Sequence, residues 1–157
     1  MSKKILTLFA SIIIAQLAGA VGSIFTAPSI QSWYVFLEKP FFAPPNWLFA
    51  PAWITLYALM GIAAFLVWQK RRKVEVKSAL YFYFAQLLLN ASWSVAFFGL
   101  QNPSLGFLVI IALWLLILVT MVKFWKIERI AGLLFIPYIL WVTFATMLNF
   151  AIWQLNV

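Results

Sequence analysis

Long apolar runs alternate with short polar segments along the chain, and this pattern is its main structural signal. The runs lie at about residues 5–25, 46–68, 79–100, 104–124 and 130–154. A helix needs about 20 mostly apolar residues to cross a bilayer core, whereas a membrane β-strand has about 10 residues that alternate between faces. These runs are long and continuously apolar. The pattern therefore predicts an all-α integral membrane protein, a five-transmembrane-helix bundle that forms a single domain over residues 1–157.

The composition supports a lipid environment for this bundle. Of the 157 residues, 66% are hydrophobic and only 9% are charged. Soluble domains have roughly 45–50% apolar and about 25% charged residues. An apolar excess of this size cannot be hidden in a soluble core, so we expect lipid to cover most of the surface.

The positive charges fall on one side of the predicted bundle. With five crossings, ten of the 11 Lys and Arg residues lie before the first span, in 69–78 or in 123–129, and only Lys39 lies opposite. Loops rich in Lys and Arg stay in the cytoplasm. We therefore expect a cytoplasmic N-terminus and a C-terminus outside. The net charge of +8 is interpreted as a topology signal and as contacts with membrane lipids, not as a nucleic-acid site.

The first run has a second interpretation as a secretory signal peptide. Lys3 and Lys4 precede it, and small residues follow at 18–20. However, its apolar stretch is longer than the usual 7–15 residues of a signal peptide, and cleavage would leave four spans. We expect the run to be a retained span.

A segment rich in Pro and Trp, residues 33–53, lies between the first two runs. It contains three Trp residues and four Pro residues, which cannot continue a helix interior. Trp favours the edge of a bilayer. We expect a stiff aromatic lid over the outer end of the bundle, with Pro44 and Pro45 contributing to a ligand site beneath it.

The sequence lacks the residues on which most enzymes depend. It has no Cys, His or Asp, and its three acids are Glu38, Glu75 and Glu128. Zinc sites of the Cys/His kind and Ser-His-Asp or Cys-His nucleophile systems are therefore excluded. We expect no metal site and no required cofactor, and any chemistry must come from aromatic rings, amides, hydroxyls or a bound ligand.

Aromatic and amide side chains recur at helical spacing in the outer halves of spans two, three and five. Polar side chains inside a span usually turn away from lipid, and this would carry neighbouring Trp rings inward with them. The result would be a pocket for a large, flat, apolar ligand. The alternative is that the amides only join helices and the rings only fill volume. The predicted ligand-binding residues, with the lid included, are Tyr34, Pro44, Pro45, Trp53, Tyr57, Gln86, Asn90, Trp93, Phe97, Trp141, Ala145, Leu148 and Asn149.

Several motifs resemble one known family over nearly the whole chain. They are WYxxLxKPxxxPPxW at 33–47, PAWxTLYxxMG at 51–61, LNxxW at 89–93, FFG at 97–99 and PYxxWxxFATxLN at 137–149. The chain thus resembles the tryptophan-rich sensory protein/translocator protein family. The resemblance implies a five-helix bundle, commonly a homodimer, that binds porphyrins such as protoporphyrin IX and isoquinoline or benzodiazepine ligands. The positions that match the family's pocket are Tyr34, Trp53, Asn90, Trp93, Trp141, Ala145 and Asn149.

One departure from the family bears on the ligand and the source. Mitochondrial members carry a cholesterol-recognition pattern near the end of span five that needs a Tyr and a basic residue. Phe150 and Gln154 stand at those places here. The departure favours a bacterial plasma-membrane member over a cholesterol-binding one.

Three functions are compatible with the sequence. The first is a membrane receptor or sensor for porphyrins. The second is light-dependent oxidative breakdown of bound protoporphyrin IX, an activity that the resemblance implies, with Trp53 and Trp141 as the candidate catalytic, oxidisable side chains. The third is transport of porphyrin or lipid, which is less favoured because no charged residue lies inside a span and no inverted repeat is evident.

Overall fold

The structure is a computed structural model that describes residues 2–157, and every regular element in that range is helical. Six α-helices follow one another along the chain. Their bounds are α1 Lys3–Ser32, α2 Phe49–Gln69, α3 Lys77–Ser94, α4 Pro103–Ile127, α5 Arg129–Leu133 and α6 Ile136–Leu155. The first loop, residues 33–48, contains two short 3₁₀ helices, Tyr34–Phe36 and Asn46–Leu48. One π-helical turn, Val95–Gly99, extends α3.

Four helical stretches are long and apolar enough to cross a membrane. They are Lys3–Ser32, Asn46–Gln69, Pro103–Ile127 and Arg129–Leu155, with mean hydropathies between 1.9 and 3.0. The predicted third span, 79–100, corresponds to α3 and its π-helical turn, but α3 is shorter and less apolar than the others. The all-helical, multi-pass character of the predicted fold is therefore confirmed.

Two predicted boundaries differ from the observed ones. Helix α1 ends at Ser32 rather than near residue 25, and it continues through Pro28. The extra turns place the Ser29 hydroxyl 2.8 Å from the Phe98 carbonyl oxygen, to which it donates a hydrogen bond. The predicted fifth span, 130–154, is interrupted between α5 and α6. Pro137 stands in the first turn of α6, where its missing N–H costs no helical hydrogen bond.

Helices α1 and α2 pack backbone to backbone because small residues lie between them. Ala15 is fully buried, and the Ser11 hydroxyl donates a 2.7 Å hydrogen bond to the Gly61 carbonyl oxygen. Gly61 leaves no room for a side chain, since a Cβ there would lie 2.5 Å from Ile12 Cα. In a bilayer, close packing of this kind supplies much of the free energy of helix association, because the hydrophobic effect contributes little between helices that are already in lipid.

The basic segments meet at one end of the bundle, here called the basic end. The Lys70 ammonium lies 2.8 Å from the Glu128 carboxylate, which connects the end of α2 to the start of α5. The Lys123 ammonium donates a 2.9 Å hydrogen bond to the Ser78 hydroxyl, which connects α4 to α3. The hydrogen bond from Lys70 holds the pKa of Glu128 below its usual value. The first loop and the end of α6 lie at the opposite end.

We predict that Gly61→Ala forces α1 and α2 apart and lowers the free energy of unfolding by roughly 1–3 kcal/mol. Gly22→Ala is the matched control, because its Cβ would meet only the Ser94 side chain, which can rotate away. Thermal unfolding in detergent should give a lower melting temperature for Gly61→Ala than for Gly22→Ala. Equal melting temperatures would show that the α1–α2 contact is not tight.

Candidate ligand-binding site

A small cavity, here called the aromatic cavity, lies beneath the first loop at the end of the bundle opposite the basic end. Its volume is about 20 Å³. The loop, the start of α2, the end of α3 with its π-helical turn, and α6 all contribute to its wall. The lining residues are Tyr34, Phe49, Trp53, Trp93, Phe97, Phe98, Trp141, Ala145, Leu148, Asn149 and Ile152.

Three Trp rings form the walls of the aromatic cavity. The Trp53 ring centroid lies 6.5 Å from that of Trp93 and 6.4 Å from that of Trp141, to which it is nearly perpendicular at 87°. Trp93 in turn stacks on Phe97 at 5.5 Å and 27°. Perpendicular and offset arrangements are the favoured geometries of aromatic pairs, so the rings stabilise one another. They also present flat apolar faces of the kind on which a planar ligand stacks.

One amide of the cavity wall already makes a hydrogen bond through each of its polar atoms. Asn149 accepts a 3.0 Å hydrogen bond from Trp93 Nε1 and donates a 2.7 Å hydrogen bond to the Pro103 carbonyl oxygen. It therefore fixes the orientation of the Trp93 ring against α6. One N–H donor and one acceptor lone pair of this amide remain without a partner within residues 2–157.

Two other polar atoms of the wall are buried and lack a hydrogen-bond partner within residues 2–157. They are the Tyr34 hydroxyl and Trp141 Nε1. Burial raises the pKa of Tyr34 to about 12, so its hydroxyl is protonated at neutral pH and able to donate. Leaving such a group unpaired costs about 1–3 kcal/mol. A ligand with hydrogen-bond acceptors would remove this cost only after the cavity opens, because neither atom is exposed at the present cavity surface.

Three predicted ligand contacts do not line the cavity. Tyr57, Gln86 and Asn90 form a buried hydrogen-bonded chain deeper in the bundle. The Tyr57 hydroxyl donates to Asn90 Oδ1 at 2.5 Å, Asn90 Nδ2 donates to the Tyr138 hydroxyl at 2.8 Å, and that hydroxyl donates to Gln86 Oε1 at 2.8 Å. The Trp53 ring stacks on Tyr57 at 5.6 Å and lies between this chain and the cavity. Contact of these three residues with a ligand stays a prediction, and their present geometry is that of the alternative, amides that join helices.

The two prolines of the predicted lid also lie outside the lining. Pro44 precedes Pro45, whose carbonyl oxygen accepts a 3.0 Å hydrogen bond from the Leu48 N–H and begins the second 3₁₀ helix. Both prolines thus shape the loop, whereas Tyr34 supplies its contact with the cavity. Contact of Pro44 and Pro45 with a ligand stays a prediction.

The first loop is fastened to α6 by a reciprocal pair of hydrogen bonds. Asn156 Nδ2 donates to the Glu38 carbonyl oxygen at 2.9 Å, and the Glu38 N–H donates to Asn156 Oδ1 at 3.0 Å. The Phe42 ring adds an edge contact with Phe144 at 6.2 Å. Asn156, which directly follows α6, therefore holds the first loop against this helix.

The remaining eight predicted site residues line the aromatic cavity together. They are Tyr34, Trp53, Trp93, Phe97, Trp141, Ala145, Leu148 and Asn149. The sequence reasoning missed Phe49, Phe98, Ile152 and the buried Tyr138. Helical spacing contained a signal for two of these, since Phe49 precedes Trp53 by four residues and Ile152 follows Leu148 by four. Asn156 gave no signal, because its partner Glu38 is 118 residues away in the chain.

This geometry defines a class of protein, namely a multi-pass helical membrane protein with an aromatic cavity beside its first loop. The model of the TspO/MBR family matches residues 11–154. The chain is 48% identical to the tryptophan-rich protein TspO of Archaeoglobus fulgidus, over 98% of this chain and 99% of that protein. It is 45% identical to protein CrtK of Rhodobacter capsulatus over 96% of this chain and 94% of that protein.

The human translocator protein is a more distant relative, 33% identical over 87% of this chain and 82% of its own length. Together, the match to the family model and the full-length relatives show that this chain belongs to the TspO/MBR family. The resemblance found in the sequence motifs is thereby confirmed.

We predict that Asn156→Ala loosens the first loop, because both hydrogen bonds to Glu38 are lost. Amide hydrogen exchange at Glu38 should become roughly three- to tenfold faster, as expected for a net contribution of about 0.5–1.5 kcal/mol from a hydrogen bond. Gln154→Ala, which changes a nearby exposed amide, should leave exchange at Glu38 unchanged. Equal exchange in both variants would show that Asn156 does not fasten the loop.

Proposed function

We propose that this protein is a membrane receptor or sensor that binds a porphyrin, such as protoporphyrin IX, or a flat isoquinoline- or benzodiazepine-type ligand in the aromatic cavity. The observation that carries the proposal is the pair of unpartnered donors, the Tyr34 hydroxyl and Trp141 Nε1, set among Trp walls. A porphyrin offers flat apolar faces to the rings. Its carboxylates, or a carbonyl oxygen of the smaller ligands, offer acceptors to the two donors.

The closed cavity must expand before such a ligand can enter. A volume of about 20 Å³ holds about one water molecule, whereas drug-sized ligands occupy roughly 300–1,000 Å³. The contacts that must open are those of the first loop with α6, which are few and close to water. We therefore infer that the loop moves as a lid, with the bonds between Asn156 and Glu38 breaking first.

We propose that the bundle crosses the membrane five times, with α3 and its π-helical turn as the third span. Helix α3 has 18 residues and its π-helical turn has 5, which together are enough to span more than about 30 Å. Its most polar side chains, Gln86 and Asn90, are buried, while Leu88 is 72% exposed. The exposed residues of α3 are therefore more apolar than the helix as a whole, so we include α3 as the third span.

The topology and assembly follow from the same proposal. The positive-inside rule places the basic end in the cytoplasm and the first loop and C-terminus outside, which we assign to a bacterial plasma membrane. We propose a homodimer by similarity to the family.

The binding proposal is tested by porphyrin titration of Tyr34→Phe and Trp141→Phe. Each change removes one donor; Tyr34→Phe keeps the ring, whereas Trp141→Phe also replaces the indole with a smaller phenyl ring. We expect a dissociation constant for protoporphyrin IX roughly 2- to 10-fold weaker in either variant, read from the porphyrin absorption band. Trp114→Phe is the matched control, because Trp114 Nε1 bonds to the Thr143 hydroxyl outside the cavity. Non-saturable binding, or equal weakening by Trp114→Phe, would reject the proposed site.

A second candidate function is light-dependent oxidative breakdown of the bound porphyrin. It is favoured by the proximity of Trp53 and Trp141, two oxidisable rings whose centroids are 6.4 Å apart on the cavity wall. The porphyrin would act as the photosensitiser and dioxygen as the oxidant, so no acid or base from the protein is needed.

We predict that light-dependent loss of the porphyrin band slows at least severalfold in Trp53→Phe and Trp141→Phe. The measurement uses saturating porphyrin, so that a change in porphyrin affinity does not alter the measured rate of band loss. Dark samples and Trp114→Phe are the controls. Unchanged rates in both cavity variants would exclude these rings from the reaction while leaving the binding proposal intact.

A further inference from the structure

A second cavity lies in the opposite half of the bundle from the aromatic cavity. It has a volume of about 210 Å³ and is enclosed by α1, α2 and α3 near the basic end. Its wall on α2 begins at Ala64, eleven residues beyond Trp53, or roughly 16 Å along the helix. The two cavities share no lining residue. This basic-end cavity is therefore a separate site, and its volume exceeds the roughly 150 Å³ at which an apolar protein cavity takes up benzene.

The wall of the basic-end cavity is apolar and has one uncommitted polar group. The Thr7 hydroxyl donates to the Lys3 carbonyl oxygen at 2.9 Å, and the Ser11 hydroxyl donates to Gly61. Tyr83, only 1% exposed, also lines the cavity, and its hydroxyl has no hydrogen-bond partner within residues 2–157. An occupant that is largely hydrocarbon but brings one acceptor oxygen would satisfy this wall.

The cavity borders the surface that faces lipid. Ile14 and Phe84, which both line it, are 44% and 50% exposed, and Trp68 is 40% exposed. Large apolar side chains with this exposure in the middle of a membrane helix contact acyl chains. An occupant can therefore enter sideways from the bilayer without passing through water.

Basic side chains lie within about one helical turn of the cavity on all three helices. Lys3 precedes Thr7 by four residues, Arg71 follows Trp68 by three, and Lys77 precedes Leu80 by three. The Arg71 guanidinium lies 4.4 Å from the Trp68 ring centroid, directly at the cavity wall.

Acidic groups near this end neutralise only part of its positive charge. Glu128 is paired with Lys70, and the Glu75 carboxylate, which accepts a hydrogen bond from the Lys77 backbone N–H, offsets one of the three charges. Among residues 2–157, the one ion pair found is that of Lys70 with Glu128. The mouth of the cavity thus carries a net positive charge that complements an anionic head group.

We propose that the basic-end cavity is a binding site for an anionic glycerophospholipid of the surrounding membrane. One acyl chain occupies the space between α1, α2 and α3, and the phosphate lies among Lys3, Arg71 and Lys77. An ester oxygen accepts a hydrogen bond from Tyr83. Tyr83 lies six residues, or roughly 9 Å, into α3 from Lys77, so it lies on the acyl-chain side of the proposed phosphate position.

The first test measures thermal stabilisation of delipidated protein in detergent by added lipid. Dioleoyl phosphatidylglycerol should raise the melting temperature saturably, whereas dioleoyl phosphatidylcholine and inorganic phosphate should not. Arg71→Gln and Lys77→Gln should each weaken the apparent affinity for phosphatidylglycerol about fivefold. Lys126→Gln, an equal charge change at the same end on α4, should not. Equal stabilisation by both lipids or by phosphate alone, or equal weakening by Lys126→Gln, would overturn the proposal.

The second test locates the acyl chain. Phosphatidylglycerol with a photoreactive diazirine on one acyl chain should label residues of the cavity wall, Leu80 and Phe84 among them. Tyr83→Phe should weaken apparent affinity about threefold, and Ala64→Leu, which fills the cavity, should abolish saturable labelling. Labelling confined to other surfaces, or no labelling because a second copy of the chain covers this face, would refute the site. If Ala64→Leu fails to fold, the positions labelled in the unmodified protein and the lipid affinity of Tyr83→Phe still test the proposed site.

Discussion

The buried hydrogen-bonded chain of Tyr57, Asn90, Tyr138 and Gln86 is the constraint on which the rest of the structure depends. Inside a bilayer, a polar side chain without a partner costs several kcal/mol, because no water is present to replace the partner. These four groups satisfy one another across α2, α3 and α6, and they can do so in one relative placement of the three helices. That placement also sets the Trp53 ring on Tyr57, and so decides where the bundle core ends and the aromatic cavity begins.

The two ends of the bundle have different chemistry for the same reason. Toward the first loop, the core above the hydrogen-bonded chain consists of aromatic rings with two unpaired donors, closed by a loop that few contacts hold down. Toward the basic end, small residues bring α1 and α2 together, yet the wall is incomplete beside Tyr83. One end therefore suits a flat ligand with polar edges, and the other suits a flexible hydrocarbon chain with an anionic head. A ligand at one end and a lipid at the other would both act on α2 and α3.

Hydrophobic patterning was sufficient to predict the helical membrane fold, because a bilayer imposes run length and polar satisfaction so strongly. It was also sufficient to bring Trp53, Trp93 and Trp141 to one wall. Patterning could not predict how deep along a helix the cavity ends. Asn90 and Trp93 share one face of α3 and lie about one turn apart, yet Asn90 lies in the bundle core and Trp93 lies in the cavity wall. Nor could it reveal the contact between Glu38 and Asn156, because a contact between residues 118 apart in the chain leaves no periodic signal.

The central claim is that a porphyrin opens the first loop and stacks on the Trp rings of the aromatic cavity, above an unbroken hydrogen-bonded chain. A structure of the protein with protoporphyrin IX, determined in lipid nanodiscs, tests this most directly. The account predicts the porphyrin in the aromatic cavity, acceptor oxygens on the Tyr34 hydroxyl and Trp141 Nε1, and the hydrogen bond from Tyr57 to Asn90 preserved. A porphyrin seated on the lipid-facing surface, or one that replaces Tyr57 as the partner of Asn90, would contradict it.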